Sequence, residues 1–153
     1  MYLGERAIAY TFDKDFEHAI DDYNKLIKQN PNDSRTYYNR AIVFYGMAKY
    51  DKAVSDLNKA INLGFKKSKV FAKLGESYLK ERKPLEALLN LNNAIKVDPN
   101  EGSYYYKRSV VYYVLKEYGN ALRDVYKAQE LGSVIDSKFT NFLEYNGPKN
   151  LDH

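Results

Sequence analysis

The sequence predicts an all-α fold built from stacked helix-turn-helix hairpins, and three observations predict it. First, four columns of residues recur with a 34-residue step: Ala19, Ala53, Ala87 and Ala121; Tyr10, Phe44, Tyr78 and Tyr112; Leu3, Tyr37, Phe71 and Tyr105; Leu26, Ala60, Ala94 and Ala128. A fixed period of that length is the mark of a repeat architecture. Second, the apolar residues of each unit follow two successive helical rhythms. Third, the 153 residues include only 8 glycines and 4 prolines, too few punctuating residues for many short strands.

The second unit shows the two helices most plainly. Tyr37, Ala41, Phe44 and Tyr45 recur at helical spacing, and Ala53, Val54, Leu57, Ala60 and Ile61 form a second amphipathic stripe. A short polar turn around Lys49 to Asp51 is expected between them. The first and third units stop at Asn30-Pro31-Asn32 and Asp98-Pro99-Asn100, where proline cannot continue a helix and biases the residue before it away from helical geometry. The second and fourth stop at Gly64 and Gly132, where glycine can take the left-handed conformation that closes a helix. The repeats therefore fall at about 1–33, 34–67, 68–101 and 102–133.

A further helix is expected at about 134–145. Val134, Ile135, Phe139, Phe142 and Leu143 would share one side, opposite Asp136, Lys138, Asn141 and Glu144. Stacked repeats leave an apolar face open at each end, and a terminal helix covers it. One repeat domain then spans 1–146, with 147–153 a frayed tail after Gly147-Pro148. No equivalent cap precedes the first repeat, so that end is expected to be exposed and weak, to belong to something longer, or to be covered by another chain.

Charged residues keep the same register. Arg6, Arg40 and Arg108 share one place, which is Leu74 in the third repeat. Sixteen residues on lie Asp22, Asp56, Asp124 and, in the third repeat, Asn90. Arginine thus coincides with aspartate, and leucine with asparagine. The pattern predicts an ion pair bracing each of three hairpins, since guanidinium and carboxylate can join through two parallel hydrogen bonds. The alternative is three arginines lining a ligand groove.

The third unit, with Phe71, Leu74-Gly75, Tyr78, Ala87, Leu91, Ala94 and Pro99, resembles the tetratricopeptide repeat. In the other units Leu-Gly is replaced by Arg6-Ala7, Arg40-Ala41 and Arg108-Ser109, and proline is missing twice, but the small residue is kept. The resemblance implies a right-handed superhelix whose concave face is lined by the first helix of each repeat. It also implies a protein-protein interaction module, an adaptor or scaffold without catalysis. Carried over by register, the peptide-binding groove would be formed by Tyr38, Asn39, Ile42, Tyr45, Lys73, Glu76, Tyr106, Lys107, Val110 and Tyr113. Glu5, Ile8 and Phe12 would line it on the first repeat, and Arg35, Lys69 and Lys80 would add to its lining on the second and third. A mildly positive groove with a tyrosine floor suits a polypeptide of acidic or aromatic character, because tyrosine supplies contact area at low entropy cost.

One subset of the family holds acidic C-terminal tails of chaperones in a carboxylate clamp of Lys, Asn and Arg. Here the clamp places hold Gly4 and Ile8, Tyr38 and Ile42, and Ala72 and Glu76. None is basic or asparagine, so this chain is not expected to use that clamp. The runner-up reading is a structural one, a homo-oligomer joined through the uncapped first repeat or the aromatic groove.

Other classes of function lack their residues. With no cysteine and only His18 and His153, thiolate chemistry and histidine metal clusters are excluded. His18 lies among Asp15, Glu17, Asp21 and Asp22 and reads as a surface residue at a helix start. Asp13-Lys14-Asp15-Phe16-Glu17 opens like a calcium loop, but His18 stands where glycine is needed and no glutamate closes it. No catalysis, metal or cofactor is expected. The net charge is +4 with pI near 9.0, so nucleic acid is not the expected partner, and Lys66-Lys67-Ser68-Lys69 reads as a solvated loop. The start of the chain has no apolar targeting segment. The longest apolar run, Val110 to Leu115, is far below the ~20 residues that cross a bilayer. A cytoplasmic protein without membrane contact is expected.

Overall fold

The computed structural model describes residues 2–147. These residues form nine helices and no strand: α1 (Leu3–Phe12), α2 (Phe16–Gln29), α3 (Ser34–Gly46), α4 (Tyr50–Asn62), α5 (Ser68–Lys80), α6 (Pro84–Val97), α7 (Gly102–Val114), α8 (Tyr118–Glu130) and α9 (Ser137–Asn146). Each odd-numbered helix up to α7 packs on the helix that follows it, and each pair packs on the next, so the chain is an all-α solenoid.

The hairpin turns are one device repeated four times. Lys14, Ala48, Arg82 and Lys116 all have φ near +60° (60°, 56°, 60° and 62°). In each case the next residue's N–H reaches back to close the helix. Asp15 N–H donates to the Tyr10 carbonyl at 2.9 Å, Lys49 to Phe44 at 2.9 Å, Lys83 to Tyr78 at 2.9 Å and Glu117 to Tyr112 at 2.8 Å. This is a Schellman closure, and the second helix begins immediately after it. The second turn therefore lies at 47–49, not around Lys49 to Asp51, because α4 is already helical at Tyr50. The turns between repeats differ from one another. Gly64 and Gly132 take φ of +92° and +87°, whereas Asn30 and Asp98 leave their helices at φ near −140° (−138° and −140°) ahead of a proline.

The core pairs small residues at fixed register places on both helices of each hairpin with larger ones such as Val43, Leu57, Leu74, Leu91 and Val125. Ala7, Ala41, Gly75 and Ser109 occupy one register place and all are buried. At Gly75 the helices approach closely: a Cβ there would lie 2.9 Å from Leu91 Cγ and 3.1 Å from the Ala87 carbonyl oxygen. Close packing at that level leaves no room for a larger side chain.

The terminal helix differs from the sequence expectation in two ways. It starts at Ser137 and not near 134, because Asp136 caps it by accepting from the Lys138 N–H at 2.9 Å. Its packing face holds Leu143, fully buried against Ala121, Leu122 and Val125, with Ile135 and Phe139 beside it. Val134 lies outside the helix and is fully exposed, and Phe142 is 40% exposed. The tail expected over 147–153 lies outside the described residues beyond Gly147.

Candidate functional site

The arginines are committed to the scaffold. Arg6 donates to Asp22 through Nε at 2.7 Å and Nη2 at 2.8 Å. Arg40 meets Asp56 twice at 2.7 Å, and Arg108 meets Asp124 twice at 2.7 Å. A third bond runs to the preceding repeat, from Arg40 Nη1 to Asn24 Oδ1 and from Arg108 Nη1 to Asn92 Oδ1, each 2.7 Å. Each of these two guanidinium groups thus joins two repeats as well as two helices. Arg6 has no such asparagine, and its side chain is 44% exposed against 19% for the other two. In the third repeat Leu74 is buried with Ala41, Leu57 and Val70, and Asn90 turns to the Glu86 carbonyl at 2.8 Å. The Arg6 guanidinium holds the Asp22 carboxyl below the usual carboxylate range; burial opposes this and Lys25 adds to it.

A second set of side chains converges on the face formed by α3, α5 and α7. Glu76 on α5 accepts from Lys73 through one oxygen and from Lys107 of α7 through the other, the latter at 2.9 Å. The Lys73 ammonium rests over the Tyr45 ring of α3, 4.2 Å from its centroid, an attractive cation–π placement. Three repeats are therefore linked through one carboxylate. Burial works to raise the Glu76 pKa, but the two ammonium groups outweigh it and hold the carboxyl below its ordinary range. Burial, with the Glu76 charge adding, pushes the Tyr45 hydroxyl up. Beside this group a small apolar cavity of about 160 Å³ is bounded by Leu79, Leu91, Tyr106 and Val110.

The remaining groove residues lie elsewhere. Tyr38 is half-buried edge-on against Phe65, with centroids 5.5 Å apart. Together with Asn39 it lines a larger cavity of about 540 Å³. Ile42 is partly buried. Tyr113 lies against Phe139 and Phe142 of α9, at 5.6 and 5.5 Å, and Tyr106 touches Phe139 at 6.2 Å. The terminal helix therefore covers one side of both tyrosines, and the face between α7 and α9 is aromatic packing. Glu5, Ile8 and Phe12 remain on α1, where Ile8 is 42% and Phe12 is 83% exposed.

The residues that sequence reasoning missed carry weak signals. Asn24, Asn58 and Asn92 keep the 34-residue step, and two of them bind arginines. Phe65 and Tyr104, on the wall of the larger cavity, have no distinguishing spacing. His18 is exposed, with its ring stacked on Tyr10 at 5.2 Å and Nδ1 2.7 Å from Asp15, the residue that caps α2. Among the described residues no helix is long and apolar enough to cross a membrane.

Comparison with known proteins agrees with this architecture. Three sequence profiles of the tetratricopeptide repeat match residues 2–33, 22–55 and 72–132. The chain belongs to the tetratricopeptide repeat family. It is 31% identical over 87 residues to the small glutamine-rich tetratricopeptide repeat-containing protein 2 of Mycosarcoma maydis, a match covering 57% of this chain and 25% of that protein. The match thus spans about a quarter of the length of that curated relative. Among solved structures, MamA superposes with a TM-score of 0.87 at 20% identity, covering 94% of this chain and 80% of MamA. PilF of Pseudomonas aeruginosa gives 0.82 at 21% identity, covering 94% and 66%. The first repeat domain of Spaghetti (RPAP3), solved bound to the HSP90 peptide SRMEEVD, gives 0.71 at 24% identity, covering 74% and 90%. At these identities the likeness is one of fold.

Proposed function

We propose that this chain is a non-catalytic protein-interaction module that holds a peptide segment or helix against the concave face of α3, α5 and α7. The single observation that supports this most is the Tyr45–Lys73–Glu76–Lys107 chain, in which one half-buried carboxylate fixes two lysines and, through them, a tyrosine across three repeats. Such a network holds polar and aromatic groups in place before a ligand arrives, so less ordering entropy is lost on binding. The structure of the Spaghetti domain with its peptide shows that this fold can serve as a peptide receptor. A carboxylate clamp is not the mode we propose here, because the places assigned to it by register, Gly4, Ile8, Tyr38, Ile42, Ala72 and Glu76, hold no basic residue or asparagine.

The experiment is peptide display against the whole chain, followed by titration of the selected peptides into Tyr45→Ala and Lys107→Ala variants, with Lys96→Ala on α6 as the control. The reading requires weaker binding in the first two with unchanged melting, and fails if only the control matters. A second reading is favoured by one observation: α1 presents Phe12 at 83% and Ile8 at 42% exposure, with Tyr2 at 85% just before it. A second copy could cover this patch. Light scattering at two concentrations, with Phe12→Ser for comparison, separates the two readings.

A further inference from the structure

A third cavity, of about 480 Å³, lies on the side of the second helices, where α2 flanks the end of α3 and the start of α4. Its size is within the ~300–1,000 Å³ common for binding pockets. The floor is apolar and consists of Ile20, Phe44 and Met47. The Phe44 ring is held between two cations, with Arg40 5.5 Å and Lys52 5.7 Å from its centroid.

The walls carry both signs of charge. Glu17 and Asp21 stand on the α2 side, and Lys49 and Lys52 on the α4 side. None of the four takes part in an ion pair among the described residues. The later junctions between repeats are unlike this one. One repeat on, the same places hold Asp51, Ser55, Lys83 and Glu86, and Lys83 is already paired with Glu81 at 2.9 Å. Two repeats on, they hold Leu85, Leu89, Glu117 and Asn120, and Asn120 donates to Glu117 at 2.6 Å.

A knob of matching chemistry stands at the end of α1. Phe12 is 83% exposed, in a place that is Gly46, Lys80 and Val114 in the other repeats. Asp13 and Lys14 follow it, both exposed and in no ion pair among the described residues. The closure at Lys14, with φ of 60°, presents all three on a fixed turn. An apolar floor between an acidic and a basic wall accepts an aromatic ring that carries one base and one acid beside it. Knob and cavity both belong to the first two repeats, so two copies can exchange them about one two-fold axis and make each contact twice.

We infer that a second copy of this chain docks here. Its Phe12 enters over Ile20, Phe44 and Met47, its Lys14 meets Glu17 and Asp21, and its Asp13 meets Lys49 and Lys52. This rests on the self-association reading and names the surface that receives α1. The Tyr45–Lys73–Glu76–Lys107 chain takes no part in it.

The test is sedimentation equilibrium of the whole chain over about a hundredfold range of concentration, with melting curves to check that each variant folds. The mass should rise from near 17.8 kDa toward twice that value. Phe12→Ser and Lys14→Glu should each weaken association about tenfold, and so should Glu17→Lys/Asp21→Lys. The triple variant Lys14→Glu/Glu17→Lys/Asp21→Lys exchanges the charges across the contact and should return to within about threefold of the native chain. Lys96→Glu on α6 should change nothing. Loss with Phe12→Ser but no response to the charge variants, or no recovery in the triple variant, overturns the cavity as the receiving surface and leaves self-association through α1 standing. Association that ignores Phe12→Ser and is lost in Leu85→Ser/Leu89→Ser moves the interface to α6 and overturns both. A monomer at every concentration also overturns both, even if a labelled peptide of mixed charge occupies the cavity.

Discussion

Arg40 stands sixteen residues from each of its two partners, and it holds both at once: Asp56 by two hydrogen bonds of 2.7 Å and Asn24 by one of 2.7 Å. One guanidinium thereby fixes the angle within its hairpin and the stacking onto the hairpin before. The Asp56 side chain is 7% exposed, so removing Arg40 alone would strand a buried carboxylate. The third repeat shows the alternative solution, with Leu74 and Asn90 in the same two places. Arg40→Leu and Asp56→Asn singly should each cost about 2–3 kcal/mol, whereas the double variant should cost less than about 1 kcal/mol. Urea unfolding of the four proteins measures the coupling; additive effects would show that the pair is not a unit.

The four hairpin turns each hold a non-glycine residue at positive φ, a conformation that costs an L-residue roughly 1–2 kcal/mol. Replacing Ala48 by glycine removes that cost but gives the unfolded chain about 0.4–1 kcal/mol of added freedom. The net expectation for Ala48→Gly is a gain of about 0.5–1 kcal/mol. Gly64 is the mirror test. It has φ of +92° and open space around its Cα, so Gly64→Ala should lose a comparable amount through conformation alone. Thermal melting of the two variants should move in opposite directions, and parallel shifts would contradict the assignment.

Two carboxylates should make stability depend on pH in acid. Asp22 is held below its ordinary range by Arg6, and Glu76 by Lys73 and Lys107 against the effect of burial. A carboxyl with a depressed folded-state pKa contributes fully above its unfolded value and loses that contribution as pH falls through the folded value. The melting temperature should therefore be flat near neutrality and fall below the ordinary carboxylate range. Glu76→Gln should start lower at neutral pH and show a shallower acid decline. A parallel decline in wild type and variant would remove Glu76 from the account.

Much of this architecture was legible because the period is strict. Arg40 and Asp56, or Ala19 and Ala53, need only be aligned at 34 residues for the hairpin and its brace to emerge. The hairpin closures were not legible, because Lys14, Ala48, Arg82 and Lys116 are residues with no preference for positive φ; their conformation is imposed by the helices on either side. The third arginine contact was visible in principle, since Asn24 and Asn92 share a register place, but polar residues on an outer helix face carry no signal of pairing. The candidate groove was the least legible part. Register put Tyr113 and Tyr45 in equivalent places, yet Phe139 and Phe142 of α9 lie against Tyr113, whereas Tyr45 meets Tyr50. Which tyrosines stay open depends on how the last helix docks, and that is set by Leu143 and Asp136, not by the repeat.

The proposed function places a bound peptide on the face of α3, α5 and α7. The most direct test is amide hydrogen exchange of the whole chain, with and without a saturating display-selected peptide. Added protection is expected in α3, α5 and α7 around Tyr45, Lys73 and Lys107, with α2, α4 and α6 little changed. Protection confined to α2, α4 and α6, or to α1 alone, would contradict it.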